Sequence, residues 1–197
     1  MTRSRRVAVL LGALLLAGSL PASAQGGHGA HAGHTMPGQS APMSMEAMNA
    51  GMLAALRPLR GRAFDVKWAQ LMMDHHQMAL DMAGKQLASG KDARAKAEAR
   101  KVIAAQQKEI ALLGGWVRKW TGQSYRPASM PMTVPAGMST DRWFLTEMIP
   151  HHQGAIDMSR LAPARGGSSG VKSLAGQIIK AQAAEIATYR QLLKSVK

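Results

Sequence analysis

The sequence predicts an all-α protein, an up-down four-helix bundle made of two tandem helical hairpins. Two observations carry that prediction. Residues 62–121 slide onto residues 138–197 without a gap and 18 of the 60 aligned pairs are identical, more than an alanine-rich composition gives by accident, so residues 62–197 hold two copies of one unit. Within each copy apolar residues recur at intervals of three and four, the mark of a helix with one face in a core. Each copy has two such segments separated by a glycine break, and helices joined by short connections pack antiparallel.

Taken in order, the chain opens with Arg3, Arg5 and Arg6, an apolar run from Val7 to Leu20, Pro21 and the small-residue site Ala22-Ser23-Ala24. This is the layout of a secretory signal peptide over residues 1–24, cleaved before Gln25, with an apolar core too short for a membrane span. Residues 25–61 are rich in Gly, Ala, Pro, His and Met and almost uncharged before Glu46. They show too little apolar periodicity to offset the entropy of ordering, so a flexible His/Met-rich segment is expected.

The first bundle helix begins near residue 62 and puts Phe64, Trp68, Leu71, Met72, His75, His76, Ala79, Met82 and Ala83 on one face. The second starts near Asp92, after Ser89-Gly90, and ends around Trp120, with Ala99, Val102, Ile103, Gln106, Glu109, Ile110 and Leu113 inward. Residues 122–139, with three prolines, form a linker. A third helix from about Thr140 to Leu161 and a fourth from about Ser169 to Lys194 flank the Gly166-Gly167 break. Pro150 lies inside the third helix, where it removes a backbone bond just before His151.

Composition narrows the chemistry. With no cysteine in the chain, disulfides and thiolate metal sites are excluded, and His and Met must do any soft-metal work. The formal charge of +14 becomes +11 without the three signal arginines. An exported protein has little access to nucleic acid, so a solvated basic surface is the expected meaning of that charge. It also disfavours hard cations held mainly by carboxylates. No later segment is apolar enough to span a membrane, which places the mature chain in the periplasm or cell envelope.

The repeat is strongest where its chemistry is richest. LMMDHHQMALDM around His75 and EMIPHHQGAIDM around His151 surround a His-His pair with methionines, and imidazole and thioether are the ligands that soft and borderline metals prefer. At about 100° per residue, Met72, His75, His76 and Met82 all border the buried stripe, as do Met148, His151, His152 and Met158. These eight are the candidate ligands. Gln106 and Glu109 on the second helix, with Gln182 and Glu185 on the fourth, face them and are expected to fix the histidine tautomers from behind. Asp81 and Asp157 point the other way and read as surface residues. In the tail, His28, His31, His34 and Met36 form a tract that fits weak metal capture, Cu(II) above all, and equally fits a low-complexity linker.

The Met-x-x-His-His-x-x-Ala-x-x-Met and Gln-x-x-Glu-Ile patterns, each present twice, resemble the family catalogued as domain of unknown function 305, over residues 62–197. The resemblance implies a ferritin-like four-helix bundle of an exported bacterial protein, some relatives of which bind copper or silver and contribute to copper tolerance. It implies metal contacts at Met72, His75, His76, Met82, Met148, His151, His152 and Met158, and no particular enzyme activity. Di-iron bundles need Glu on two helices and Glu-x-x-His on the other two, whereas this chain offers one inward Glu per copy.

The expected function is therefore copper binding, Cu(I) first and Ag(I) with it, in buffering, tolerance or transfer. The expected partners are the metal ion, another copy of the chain or a copper-transfer protein. Two other readings stay open: a metal-dependent oxidoreductase on the same bundle, and a structural or partner-binding bundle without metal.

Overall fold

Residues 44–130 and 132–196 are described by the computed structural model. The signal peptide expected over residues 1–24 and the tail residues His28, His31, His34 and Met36 lie outside them. The described residues form six helices: α1 Met45–Leu56, α2 Gly61–Ser89, α3 Ala93–Thr121, α4 Thr140–Arg160, the short α5 Ala162–Arg165 and α6 Ser169–Leu192. Four of them make the bundle, as hairpins α2/α3 and α4/α6, with α2 packed across α4. The caps follow local chemistry. The Asp92 carboxylate accepts from Arg94 N and Ala95 N at the start of α3, the Ser139 and Ser168 hydroxyls cap α4 and α6, and Gly122 closes α3 at φ 74°, a left-handed position suited to glycine. Among the described residues, no helix is long and apolar enough to cross a membrane.

Helix α1 corrects the expectation of a flexible segment through residue 61. Ser44 caps it by accepting from Ala47 N, and Met45 and Leu56 are buried. Met45, Met48, Met52 and Leu56 recur at helical spacing and lie against the core, so a short apolar stripe suffices once a docking surface exists. That surface is on α4. Asn49 donates from Nδ2 to the Pro150 carbonyl at 2.9 Å, and Gly154 leaves the room its side chain occupies, since a Cβ there would collide with the Asn49 amide.

The two copies exchange surroundings. One apolar cluster holds Trp68 and Met72 of the first copy with Met158, Ala175 and Ile178 of the second. The other holds Phe144 and Met148 of the second with Met82, Ala99 and Val102 of the first. Met72 precedes His75 while Met158 follows His151, so α2 and α4 pass each other antiparallel and the histidine pairs lie at the crossing. The same reciprocity locks the hairpin turns. Asp141 accepts from Lys91 N at 2.8 Å, Asp92 N at 3.0 Å and the Gln86 amide at 2.5 Å. Its counterpart Asp65 accepts from Gly167 N at 3.0 Å, and residues 91 and 167 are equivalent in the repeat. Each copy thus ties down the other copy's inter-helix turn.

Candidate metal centre

All four motif histidines and the methionines Met72, Met82 and Met148 are fully buried, and Met158 is 1% exposed. The rings of His75 and His151 meet at the crossing of α2 and α4, with centroids 3.7 Å apart and planes 34° from parallel. His151 donates from Nε2 to the His75 carbonyl at 2.8 Å. A carbonyl can only accept, so Nε2 carries the proton and Nδ1 of a neutral ring carries the lone pair. The His75 ring makes no hydrogen bond at either nitrogen.

Behind this central pair, the outer histidines meet the duplicated glutamates. His76 Nε2 lies 2.6 Å from Glu109 Oε2, and His152 Nε2 lies 2.7 Å from Glu185 Oε2. Both carboxylates keep 23% of their side-chain surface in solvent, so the Glu-His pairs join the buried layer to the surface. A ring that donates from Nε2 to a carboxylate presents Nδ1 on its other side, and this carboxylate-imidazole arrangement orients metal ligands. Gln106 and Gln182, three residues before these glutamates, are buried, each with an Oε1 that accepts no hydrogen bond.

The electrostatics keep the central rings neutral. Burial first, then the other three histidines, holds His75 well below the usual imidazole range. Burial, then His152, does the same for His151. A neutral imidazole is the form that can bind a metal. The Nδ1 atoms of all four histidines, and Nε2 of His75, are buried without a hydrogen bond. Leaving such groups unsatisfied costs about 1–3 kcal/mol each, and five in one layer is a concentration that a bound cation would relieve.

Among the described residues, no three His, Asp or Glu side chains are gathered closely enough to hold a metal ion. The apolar clusters place Met72 and Met158 on one side of the histidine layer and Met82 and Met148 on the other, which gives two related sets of thioethers.

The two halves of the layer are not identical. The Tyr189 hydroxyl lies 3.4 Å from His152 Nε2, whereas the first copy has Leu113 at the equivalent position. Burial, with Glu185 and Glu98 nearby, pushes the Tyr189 phenol up. The periodicity of α6 marks position 189 as inward, but nothing in a single sequence marks its hydroxyl as part of the site. Asp81 and Asp157, read as surface residues, are partly exposed and accept from Gln77 and Gln153 one turn earlier.

The protein-family model described as "Domain of unknown function (DUF305)" matches residues 11–117 and 141–197. Among solved structures, CopM in the Cu(I)-bound form is 30% identical, with a TM-score of 0.61 over 66% of this chain and 95% of that chain. CopM in an Ag-bound form obtained by co-crystallization has the same identity and coverage and a TM-score of 0.60. A DUF305 fragment from Deinococcus radiodurans is 26% identical, with a TM-score of 0.59 over 67% of this chain and 96% of that one. No curated protein is matched by the chain.

Proposed function

The chain belongs to the family described as domain of unknown function DUF305, and on that premise we propose that it is an exported copper-binding protein that holds Cu(I), and Ag(I) with it, for buffering, tolerance or transfer. The observation that carries this reading is the buried layer of four duplicated histidines with unsatisfied nitrogens, on helices that also bury Met72, Met82, Met148 and Met158. Imidazole tolerates both copper oxidation states and thioether selects Cu(I). Burial further favours a monovalent ion over a divalent one, because desolvation cost grows with charge.

Relatives with the same fold have been solved as CopM in Cu(I)-bound and Ag-bound forms, which supports carrying that chemistry to this chain. The ligands we assign are Met72, His75, His76, Met82, Met148, His151, His152 and Met158. Glu109 and Glu185 orient His76 and His152 from outside. The N-terminal arginines, apolar run and Ala22-Ser23-Ala24 site support export to the periplasm or envelope.

Titration of the metal-free mature protein with Cu(I) against a competing chelator tests the assignment. Replacing His75, His76, His151 and His152 together should lower Cu(I) affinity by ~100-fold or more, given that losing even one outer-shell partner costs 10- to 100-fold. A variant that keeps its helical circular dichroism and its Cu(I) affinity would remove the histidine layer from the site.

A further inference from the structure

A second collection of methionines lies away from the histidine layer, in a groove bounded by α1, α4 and residues 129–130 and 132–135. The groove encloses about 800 Å³. Met45, Met48, Met130 and Met132 line it, and Glu46 and Glu147 stand at its wall. Met130 is 39% exposed, unusual for a large apolar side chain and suited to meeting an ion from solution.

Two carboxylates give the groove wall negative charge. Glu46 and Glu147 both line the groove, and among the described residues neither forms an ion pair with Lys, Arg or His. Burial, with Glu46 nearby, raises the Glu147 carboxyl above its usual range. Two unpaired carboxylates beside four thioethers form a cation site with soft inner ligands: the acids attract the ion and the sulfurs select it.

The groove also leads inward. A smaller cavity of about 180 Å³ shares Ser129, Met132 and Trp143 with it and is also lined by Met82, a candidate ligand of the histidine-methionine layer. Lys85 borders this passage and donates from Nζ to the Met132 carbonyl at 2.6 Å, which holds Met132 between the two spaces.

We propose that this groove is a second, solvent-facing soft-metal site, in which Met45, Met48, Met130 and Met132 bind Cu(I) or Ag(I), and that the ion passes from it by way of Met132 to Met82. Binding in the groove stands on its own residues. Its role as the entrance rests on the proposed function of the buried layer.

Ag(I), which stays monovalent, is the probe, and mature protein labelled at the methionine methyl carbons is the sample. On addition of Ag(I), the methyl resonances of Met45, Met48, Met130 and Met132 should shift as a group, as should those of the buried methionines. The variant M45L/M48L/M130L/M132L keeps volume and apolarity at each position. It should lose the weaker class of Ag(I) sites, keep the tighter class and fill that class more slowly. Replacing Glu46 and Glu147 with Gln should weaken groove binding at low salt, with the difference fading as salt is raised.

Unshifted groove methyls in the wild-type protein overturn the proposal, and that measurement needs no variant to fold. Loss of the weaker sites without slower filling of the buried layer overturns the entrance role and leaves the groove site. Shifts in the groove with none in the buried methionines support the groove and count against the buried centre, so failure of one reading is distinguishable from failure of the other.

Discussion

At the scale of residues, the central histidines give the metal-free protein a defined response to acid. Burial holds His75 and His151 well below the reference value of 6.5, while the unfolded chain titrates near it. Below about pH 6.5 the unfolded state binds protons that the folded state refuses, so stability is complete above that pH and falls as the solution is acidified, by about 1.4 kcal/mol per pH unit for each ring. Thermal melts of the apo protein between about pH 7.5 and 5.5 should show that decline, and His75→Phe should reduce its slope. An unchanged slope in that variant would mean that the His75 ring is hydrated. The outer histidines make a separate prediction. Glu109→Gln and Glu185→Gln keep shape but remove the charge behind His76 and His152, and each should weaken Cu(I) binding about 10- to 100-fold. Chelator competition measures this directly, with little change expected in helicity.

At the scale of elements, the reciprocal aspartates hold the hairpins in register. Asp141 is 5% exposed and gathers two backbone N–H groups and the Gln86 amide, so Asp141→Ala leaves three donors without an acceptor. That should cost about 2–4 kcal/mol, read as a lower urea midpoint. Asp65, which accepts from a single backbone N–H and lies 3.8 Å from Arg62, should cost less. Equal losses would show that the turn contacts do not set the difference. The aspartates illustrate what was legible in the sequence. Their identity across the repeat is visible there, and so are the four bundle helices, because periodicity, glycine breaks and caps are local signals. That each aspartate serves the other copy's turn is a property of the antiparallel crossing, which no window of sequence contains. Helix α1 was missed for a related reason. Its Met45, Met48, Met52 and Leu56 stripe is short and set in Gly/Ala-rich sequence, and its stability comes from Asn49 docking beside Gly154, a position held by Met78 in the first copy. The candidate centre divides in the same way. The eight His and Met residues stand out as a repeated motif, whereas Tyr189 and the groove methionines are joined to it only by distant segments of chain.

At the scale of the whole molecule, the duplication makes a centre that neither hairpin holds alone, because each apolar cluster and the histidine contact draw on both copies. Helix α1 belongs to the folded unit: Leu56 is fully buried in one cluster and Met45 is 4% exposed in the other. Deleting residues 25–43 should leave the helical circular dichroism, the melting temperature and the tight Cu(I) site intact. It should also remove weak Cu(II) binding, because His28, His31 and His34 supply imidazole, which suits Cu(II). Deleting residues 25–57 should behave differently. Stripping α1 exposes the face of α4 around Gly154 and removes Met45 and Met48 from the groove. Burial of a large apolar side chain is worth about 1.5–3 kcal/mol, so losing Met45 and Leu56 together should lower the melting temperature by several degrees or more. Calorimetry of the two truncations, each with and without Cu(I), separates the contributions. If the shorter deletion already abolishes tight Cu(I) binding while the protein stays folded, the principal site includes the tail and the bundle-centred reading is wrong.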